Sequence, residues 1–175
     1  MHEGIRLLTV GRLTPQKGFD CAVYALKLLL EKQYPVYWYI IGEGPEYGRL
    51  TQLARSLHVE DHFIFLGMQT NPYPYFKMAD FYIHATRFEG KSIAIQEAQV
   101  LGCAIAASDC SGNREQIVSG VDGLLCPFSP EGIANAVEYL IKHPQTAESF
   151  GRAAAQKACH FENDIHMIRD LLYSP

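Results

Sequence analysis

The chain has 175 residues, of which 48% are hydrophobic and 19% are charged, so it can bury one core but is short for two complete domains. Its formal charge of -4 at pH 7 argues against non-specific nucleic-acid binding, which needs a clustered excess of Lys and Arg. The five cysteines include no CxxC pair, which argues against a zinc site or a disulfide framework and favours a reducing cytoplasm.

Short apolar runs alternate along the chain with longer segments of helical period, a pattern typical of βαβ units. The predicted strands are 5–10, 37–41, 63–66, 81–85, 105–108 and 124–126. The predicted helices are 22–30, 50–57, 95–101, 133–142, 146–158 and 165–173. We therefore predict one α/β domain, in which a Rossmann-like parallel sheet is flanked by helices.

The loop after the first predicted strand, 11–18, combines glycines with two cations. Gly11 lets the backbone approach a ligand, and Arg12 and Lys17 could hold a diphosphate at the positive end of a helix dipole. The same two cations could be a solvated pair on an ordinary loop. The turn at 42–46 after the second predicted strand is similarly ambiguous, because its glycines could serve the turn alone.

The segment 87–98 carries the most information. Glu89 and Gly90 fall in the loop after the fourth predicted strand, and Glu97 falls about one turn inside the next helix. Ligands of open α/β sheets bind at this edge, so both carboxylates could reach one cleft and accept hydrogen bonds from vicinal hydroxyls. Alternatively, Glu89 is a helix cap and Glu97 is an exposed helical charge.

Further candidates lie along the same edge. Between the two glutamates, the N–H groups of Lys91, Ser92 and Ile93 begin a helix and are predicted to form an anion-binding end. The aromatic segment 71–76 could form a wall for a planar base, or it could belong to the core. The histidines show no metal-ligand spacing and are interpreted as structural or exposed, and only His84 falls near the expected cleft.

Taken in order, these motifs resemble the retaining GT-B glycosyltransferases, which include bacterial polysaccharide-building enzymes and glycogen-synthase-like proteins. The resemblance spans nearly the whole chain. It rests on Gly11-Arg12-Leu13 with Lys17-Gly18-Phe19, on Ile41-Gly42-Glu43-Gly44-Pro45, on Phe65-Leu66-Gly67, and on Glu89 and Glu97 in an E-x7-E signature. Residues 89–94 read Glu-Gly-Lys-Ser-Ile-Ala where the commoner form is E-G-F-G-L-P, which leaves the sugar open.

The resemblance implies a site for a nucleotide-sugar donor, expected to be UDP-linked, with no metal or other cofactor. Arg12 and Lys17 are implied as diphosphate ligands beside the turns at Gly11 and Gly42. The backbone of Met68 is implied to contact the base.

The segment with the two glutamates is implied to contact the ribose, the phosphate and the sugar of the donor. Glu97 is implied to accept the ribose hydroxyls, and Glu89 with the backbone from Gly90 through Lys91 and Ser92 to Ile93 is implied to cradle the sugar and phosphate. Lys91 could add a phosphate contact. The expected catalytic residues are Glu89, Arg12 and Lys17.

The resemblance further implies that the chain is the C-terminal half of an enzyme that transfers a hexose-type sugar to a glycan or lipid-linked acceptor. An N-terminal, acceptor-binding half has no counterpart here and is the expected partner, so the chain alone is expected to bind donor without transferring sugar. The full enzyme is expected in the cytoplasm, where it could lie peripherally at the inner membrane face.

Two other functions stay open. A nucleotide-sugar 2-epimerase half has a related architecture, although the E-x7-E spacing favours the transferase. A non-catalytic nucleotide-binding module would keep Arg12 and Lys17 but has no evident need for Glu89. A dinucleotide dehydrogenase is disfavoured because no G-x-G-x-x-G follows the first predicted strand.

Overall fold

The computed structural model describes residues 2–158, which form a six-stranded parallel sheet. The strands are β1 (Ile5–Val10), β2 (Val36–Ile41), β3 (Phe63–Gly67), β4 (Phe81–His84), β5 (Ala104–Ser108) and β6 (Leu124–Cys126). Their order is β3-β2-β1-β4-β5-β6, so the direction of winding changes between β1 and β4. This doubly wound, Rossmann-like arrangement confirms the predicted fold class.

Helices make the connections between strands. They are α1 (Phe19–Glu31), α2 (Tyr47–Ser56), α3 (Tyr73–Met78), α4 (Ile93–Val100), α5 (Ser111–Gln116), α6 (Pro130–Lys142) and α7 (Pro144–Ala158), and a 3-10 helix, Pro15–Lys17, precedes α1. The predicted elements agree with these to within a few residues, but α3 and α5 are not predicted from the sequence. The helix predicted at 165–173 lies outside the described residues.

Neighbouring residues of the central strand β1 point to opposite faces of the sheet, and both faces are covered. Leu7 packs in one core with residues of α1 and α6, whereas Leu8 packs in the other with residues of α3 and α4. Both leucines are fully buried. Strands buried on both faces appear in the sequence as continuous apolar runs, which is why they are predicted well.

The carboxyl ends of all six strands point the same way, so the loops that follow the strands lie at one edge of the sheet. β1 and β4 are neighbours, with Leu8 beside Tyr82. The turn after β2 also contacts the loop after β1, since a Cβ on Gly42 would lie 2.1 Å from the carbonyl oxygen of Gly11. The loops that carry the predicted site residues therefore lie together.

Four of the five cysteines lie in the described part of the chain. Cys21, Cys103, Cys110 and Cys126 are free thiols, and Cys159 lies outside the described residues.

No helix within residues 2–158 has the length and apolar character needed to cross a membrane.

A close contact joins α7 to the turn between α4 and β5. A Cβ on Gly151 would lie 2.2 Å from the carbonyl oxygen of Gly102, so the backbones must separate to admit one. We predict that Gly151→Ala lowers the free energy of unfolding by about 1–3 kcal/mol, as overpacking does elsewhere. Urea denaturation followed by circular dichroism would measure the change.

The matched control is Gly48→Ala. Gly48 also lies in a helix, but a Cβ there meets nothing within 4 Å. This variant should be neutral or more stable by up to about 1 kcal/mol, because alanine favours the helix. Equal destabilisation by the two substitutions would contradict the packing argument.

Candidate functional site

Lys17 and Glu89 form an ion pair between the two central loops. Lys17 ends the 3-10 helix after β1, and Glu89 lies on the loop after β4. Only 20% of the Lys17 side chain and 11% of the Glu89 side chain are exposed, so water screens this pair less than a surface pair. The pairing of β1 with β4 thus brings together two predicted site residues that are distant in sequence.

Two buried side chains extend this pair into the protein. The Nε2 atom of His84 lies 3.3 Å from Glu89 Oε2, and its Nδ1 atom lies 3.2 Å from the Tyr82 hydroxyl. Burial lowers the pKa of His84. A neutral imidazole satisfies both contacts when the Tyr82 hydroxyl donates to Nδ1 and Nε2–H donates to Glu89.

Glu89 is therefore held as a carboxylate. The hydrogen bond from His84, followed by the ion pair with Lys17, lowers the pKa of Glu89 to about 2. His84 and Tyr82 are not among the predicted site residues, and the interpretation of the histidines as structural or exposed misses this contact. The available sequence signal is the position of His84 at the end of β4, on the same edge as Glu89.

Glu97 lies on α4 and faces α3. The Tyr73 hydroxyl donates to Glu97 Oε1 at 3.3 Å. Burial raises the pKa of Glu97, and the hydrogen bond from Tyr73 opposes that rise. The two carboxylates of the E-x7-E signature thus have environments that shift their pKa values in opposite directions.

The aromatic segment 71–76 is mainly part of the core. Tyr73 and Phe76 are buried and pack in the core that contains Leu8. The Tyr75 hydroxyl donates to Oε1 of Gln69 at 3.3 Å. The interpretation as core therefore describes Tyr73 and Phe76 better than the interpretation as a wall for a base.

A pocket of about 420 Å³ lies at the turns after β2 and β3 and is lined by Gly42, Glu43, Gly44, Tyr47, Phe65 and Gly67. The rings of Tyr47 and Phe65 meet edge to face with centroids 5.1 Å apart. Beside it, the exposed Met68 donates its backbone N–H to Glu43 Oε1 at 3.5 Å, a long and weak hydrogen bond. This backbone group is therefore held only weakly.

The remaining cation of the first loop, Arg12, is exposed. Among residues 2–158 it has no ion-pair partner. Gly90 faces open space, since a Cβ there would meet nothing within 4 Å. The Arg12 side chain and the Cα side of Gly90 are therefore accessible to a ligand.

Ser92 differs from the expectation. Its N–H is predicted to belong to a free anion-binding end, but it donates to Oε1 of Gln116 at 2.7 Å and Ser92 is only 5% exposed. Its hydroxyl accepts from the Ile95 N–H at 3.4 Å and caps α4. The prediction of a free Ser92 N–H is wrong, because a buried donor needs a partner and Gln116 supplies it.

The neighbours of Ser92 are more accessible. Ile93, the first residue of α4, is 72% exposed. Lys91 is exposed and lines a pocket of about 280 Å³ with Gln96, Gln99, Glu115, Gln116 and Lys157. Residues 2–158 include no group of three or more His, Cys, Asp and Glu side chains that could hold a metal ion.

The chain matches known proteins in sequence. Residues 2–157 match the family model described as glycosyl transferases group 1. An uncharacterized glycosyltransferase of Haemophilus influenzae is 32% identical over 148 residues, which is 82% of this chain and 41% of that protein. The N-acetylgalactosamine-N,N'-diacetylbacillosaminyl-diphospho-undecaprenol 4-alpha-N-acetylgalactosaminyltransferase of Campylobacter jejuni is 28% identical over 168 residues, 95% of this chain and 45% of that protein. The chain thus spans less than half of each relative.

Solved structures share the fold. HepE of Anabaena in complex with UDP superposes with a TM-score of 0.83 at 22% identity, covering 97% of this chain and 48% of that one. The C-terminal domain of LpcC, a glycosyl transferase group 1 family protein of Francisella tularensis, gives 0.77 at 23% identity, covering 87% and 83%. Together with the family match, these confirm the predicted relation to GT-B-type glycosyltransferases.

The opposite pKa shifts of the two glutamates predict opposite pH dependences of stability. Because the pKa of Glu89 is lowered from 4.5 to about 2, its contribution to stability is complete above the unfolded value and is lost as the pH falls toward 2. We predict that the stability difference between wild type and Glu89→Gln is constant above about pH 5 and shrinks below about pH 4.5. Urea titrations from pH 7 to pH 3 would measure it.

Glu97→Gln is the paired comparison. The raised pKa of Glu97 means that its ionisation is disfavoured in the folded state, so wild type should lose stability relative to this variant as the pH rises through the titration of Glu97. A stability difference with the same pH trend for both variants would contradict the assigned environments.

Proposed function

Because the chain belongs to the glycosyl transferases group 1 family, we propose that it is the donor-binding, C-terminal half of a retaining GT-B glycosyltransferase. The ligand is a nucleotide-linked sugar, with UDP as the nucleotide. The observation that carries this proposal is the pairing of Lys17 with Glu89 where the direction of winding changes between β1 and β4. Ligands of doubly wound sheets bind at that point, and a diphosphate-linked sugar needs both a cation and a hydroxyl acceptor.

The diphosphate is assigned to the loop after β1. Arg12 is exposed and unpaired among the described residues, and Lys17 follows it on the same connection between β1 and α1. Both can donate charge-assisted hydrogen bonds to phosphate oxygens. These two cations supply the positive charge that a metal provides in other diphosphate sites, so the proposal includes no metal.

The nucleoside is assigned to α4 and the turn after β3. Glu97 accepts from Tyr73 in the free protein, and a ribose diol could donate to the same carboxylate. The Met68 backbone is proposed to contact the base, since its N–H is held only by the long bond to Glu43. The Anabaena structure with UDP supports a UDP-binding role for this fold.

The sugar is assigned to Glu89 and the open backbone at Gly90. In transfer with retention, the leaving diphosphate gains negative charge, which Arg12 and Lys17 would stabilise. The acceptor must be held against the anomeric carbon with water excluded, and such positioning can lower a barrier by about 7–11 kcal/mol. We assign that task to an N-terminal half.

The acceptor is proposed to be a glycan or a lipid-linked glycan, and the sugar a hexose type. The name of the Campylobacter jejuni relative specifies a diphospho-undecaprenol acceptor, which supports this class. The alternative of a nucleotide-sugar 2-epimerase half is not favoured, because the family match is to glycosyl transferases.

The test of the diphosphate site is Lys17→Ala. A charge-assisted hydrogen bond contributes about 1.5–3 kcal/mol, so the variant should bind UDP roughly 10- to 150-fold more weakly by calorimetry. Lys27→Ala is the control, since Lys27 pairs with Glu31 on the surface of α1 and should leave the affinity unchanged. Unchanged UDP affinity in Lys17→Ala would remove Lys17 from the site.

The proposed roles of Glu89 and Glu97 can be distinguished by comparing the binding of several ligands. Glu97→Gln should weaken UDP and UDP-sugars alike, because both carry the ribose. Glu89→Ala should not weaken UDP binding, since it removes no proposed UDP contact and frees Lys17, and it should reduce discrimination among UDP-glucose, UDP-galactose and UDP-N-acetylglucosamine. A Glu97→Gln variant that binds UDP normally but loses the UDP-sugars would exchange the two roles.

A further inference from the structure

The six-residue helix α5 lies against the loop that carries Glu89. A Cβ on Gly112 of α5 would lie 1.9 Å from the carbonyl oxygen of Gly90 and 2.3 Å from that of Glu89. The backbone of α5 and the backbone of the loop are therefore in direct contact. This contact requires glycine at position 112, because any side chain would separate the two segments.

One end of the loop is fixed to α5 by a side-chain amide. Gln116 accepts the Ser92 N–H through Oε1 at 2.7 Å and donates to the Ser92 carbonyl oxygen through Nε2 at 2.9 Å. Gln116 and Ser92 are each 5% exposed. Gln116 thus satisfies both backbone groups of Ser92 as a neighbouring strand would, in a place that water does not reach freely.

The other end of the loop is fixed through Ser108. The Ser108 hydroxyl accepts the Thr86 N–H at 2.9 Å and donates to the Thr86 carbonyl oxygen at 2.6 Å. Asn113 of α5 donates to the Ser108 carbonyl oxygen at 2.8 Å. Both ends of the segment 86–92 are therefore connected to α5, and Glu89 lies midway between them.

Gln116 is itself immobilised from two sides. Its carbonyl oxygen accepts from Gln99 Nε2 of α4 and from Lys157 Nζ of α7, each at 2.7 Å. Lys157 also pairs with Asp122 at 2.7 Å. The position of Gln116 is thus set by packed helices and not by the ligand loop, so it can act as a reference point for that loop.

We propose that Gln116 is a positioning residue for the donor site, which holds the backbone at Ser92 and thereby sets the position of Glu89 against the sugar. Gln116 acts through the loop, and no hydrogen bond joins its side chain to the Glu89 side chain. The inference rests on the proposed function, because the sugar contact of Glu89 belongs to it.

The test is a double-mutant cycle between Gln116→Met and Glu89→Ala in the 175-residue chain. Methionine keeps the length of glutamine but can neither accept the Ser92 N–H nor donate to its carbonyl. The quantity measured is the ratio of the dissociation constants of UDP and UDP-glucose. Gln116→Met should lower that ratio about tenfold when Glu89 is present and leave it unchanged when Glu89 is alanine.

Gln96→Met is the matched control. Gln96 lines the same small pocket as Gln116, and its backbone N–H, which the substitution keeps, donates to the Ser92 carbonyl oxygen at 3.3 Å. The ratio should not change in this variant. An effect of Gln116→Met that is equal with and without Glu89 would overturn the proposal, since a general loss of structure would act in both backgrounds.

Hydrogen exchange provides a readout without ligand. Amides of residues 88–93 should exchange faster in Gln116→Met, while those of α6 keep wild-type protection. Unchanged exchange at 88–93 would overturn the positioning role even if donor affinity fell. If wild type bound no UDP-sugar, the proposed function would fail while this exchange result still decided the role of Gln116.

A variant that retains one hydrogen bond covers the case in which Gln116→Met does not fold. Gln116→Glu keeps an oxygen that can accept the Ser92 N–H but loses the Nε2 donor. It should give an intermediate fall in the ratio at neutral pH, again only when Glu89 is present. A ratio equal to that of wild type would overturn the proposal.

Discussion

β1 and β4 pair in parallel through Leu7 with Phe81 and Leu8 with Tyr82, and this pairing brings two distant loops side by side. The fully buried Leu7 and Leu8 anchor it in separate cores on the two faces of the sheet. Lys17 and Glu89 follow these strands, so their contact is a consequence of strand order. A change that disturbed either core would also move Lys17 and Glu89, because the strands set the positions of the loops that carry them.

The two glutamates show how one motif can hold two different carboxyl groups. Glu89 receives a hydrogen bond from His84 and an ion pair from Lys17, whereas Glu97 is half-buried beside Tyr73 with no cation paired to it among the described residues. Burial raises the pKa of a carboxyl group, and donors lower it. Because the donors outweigh burial at Glu89, this carboxyl group is stabilised in its ionised form. At Glu97 burial outweighs the single donor, so its ionised form is stabilised less.

The sequence predicts the sheet well, because its strands are short apolar runs and glycines mark the ends of the first three. The edge that gathers Lys17 and Glu89 follows from those strands. α3 and α5 have six residues each, too few for a helical period to be evident. The bond between Gln116 and Ser92 is a tertiary contact across 24 positions, so no local pattern predicts it.

The partner of Lys17 in the free protein also has a consequence for ionic selectivity. Any anion that enters must compete with a carboxylate attached to the same scaffold, which is present at a high effective concentration. A fully deprotonated anion such as sulfate has no hydrogen-bond donor for the displaced Glu89 carboxylate. A ligand that brings hydroxyl donors along with its phosphates can satisfy the released carboxylate. In the proposed diphosphate site, the ion pair would thus act as an internal competitor that weakens the binding of simple anions, which a site with an unpaired lysine would bind more readily.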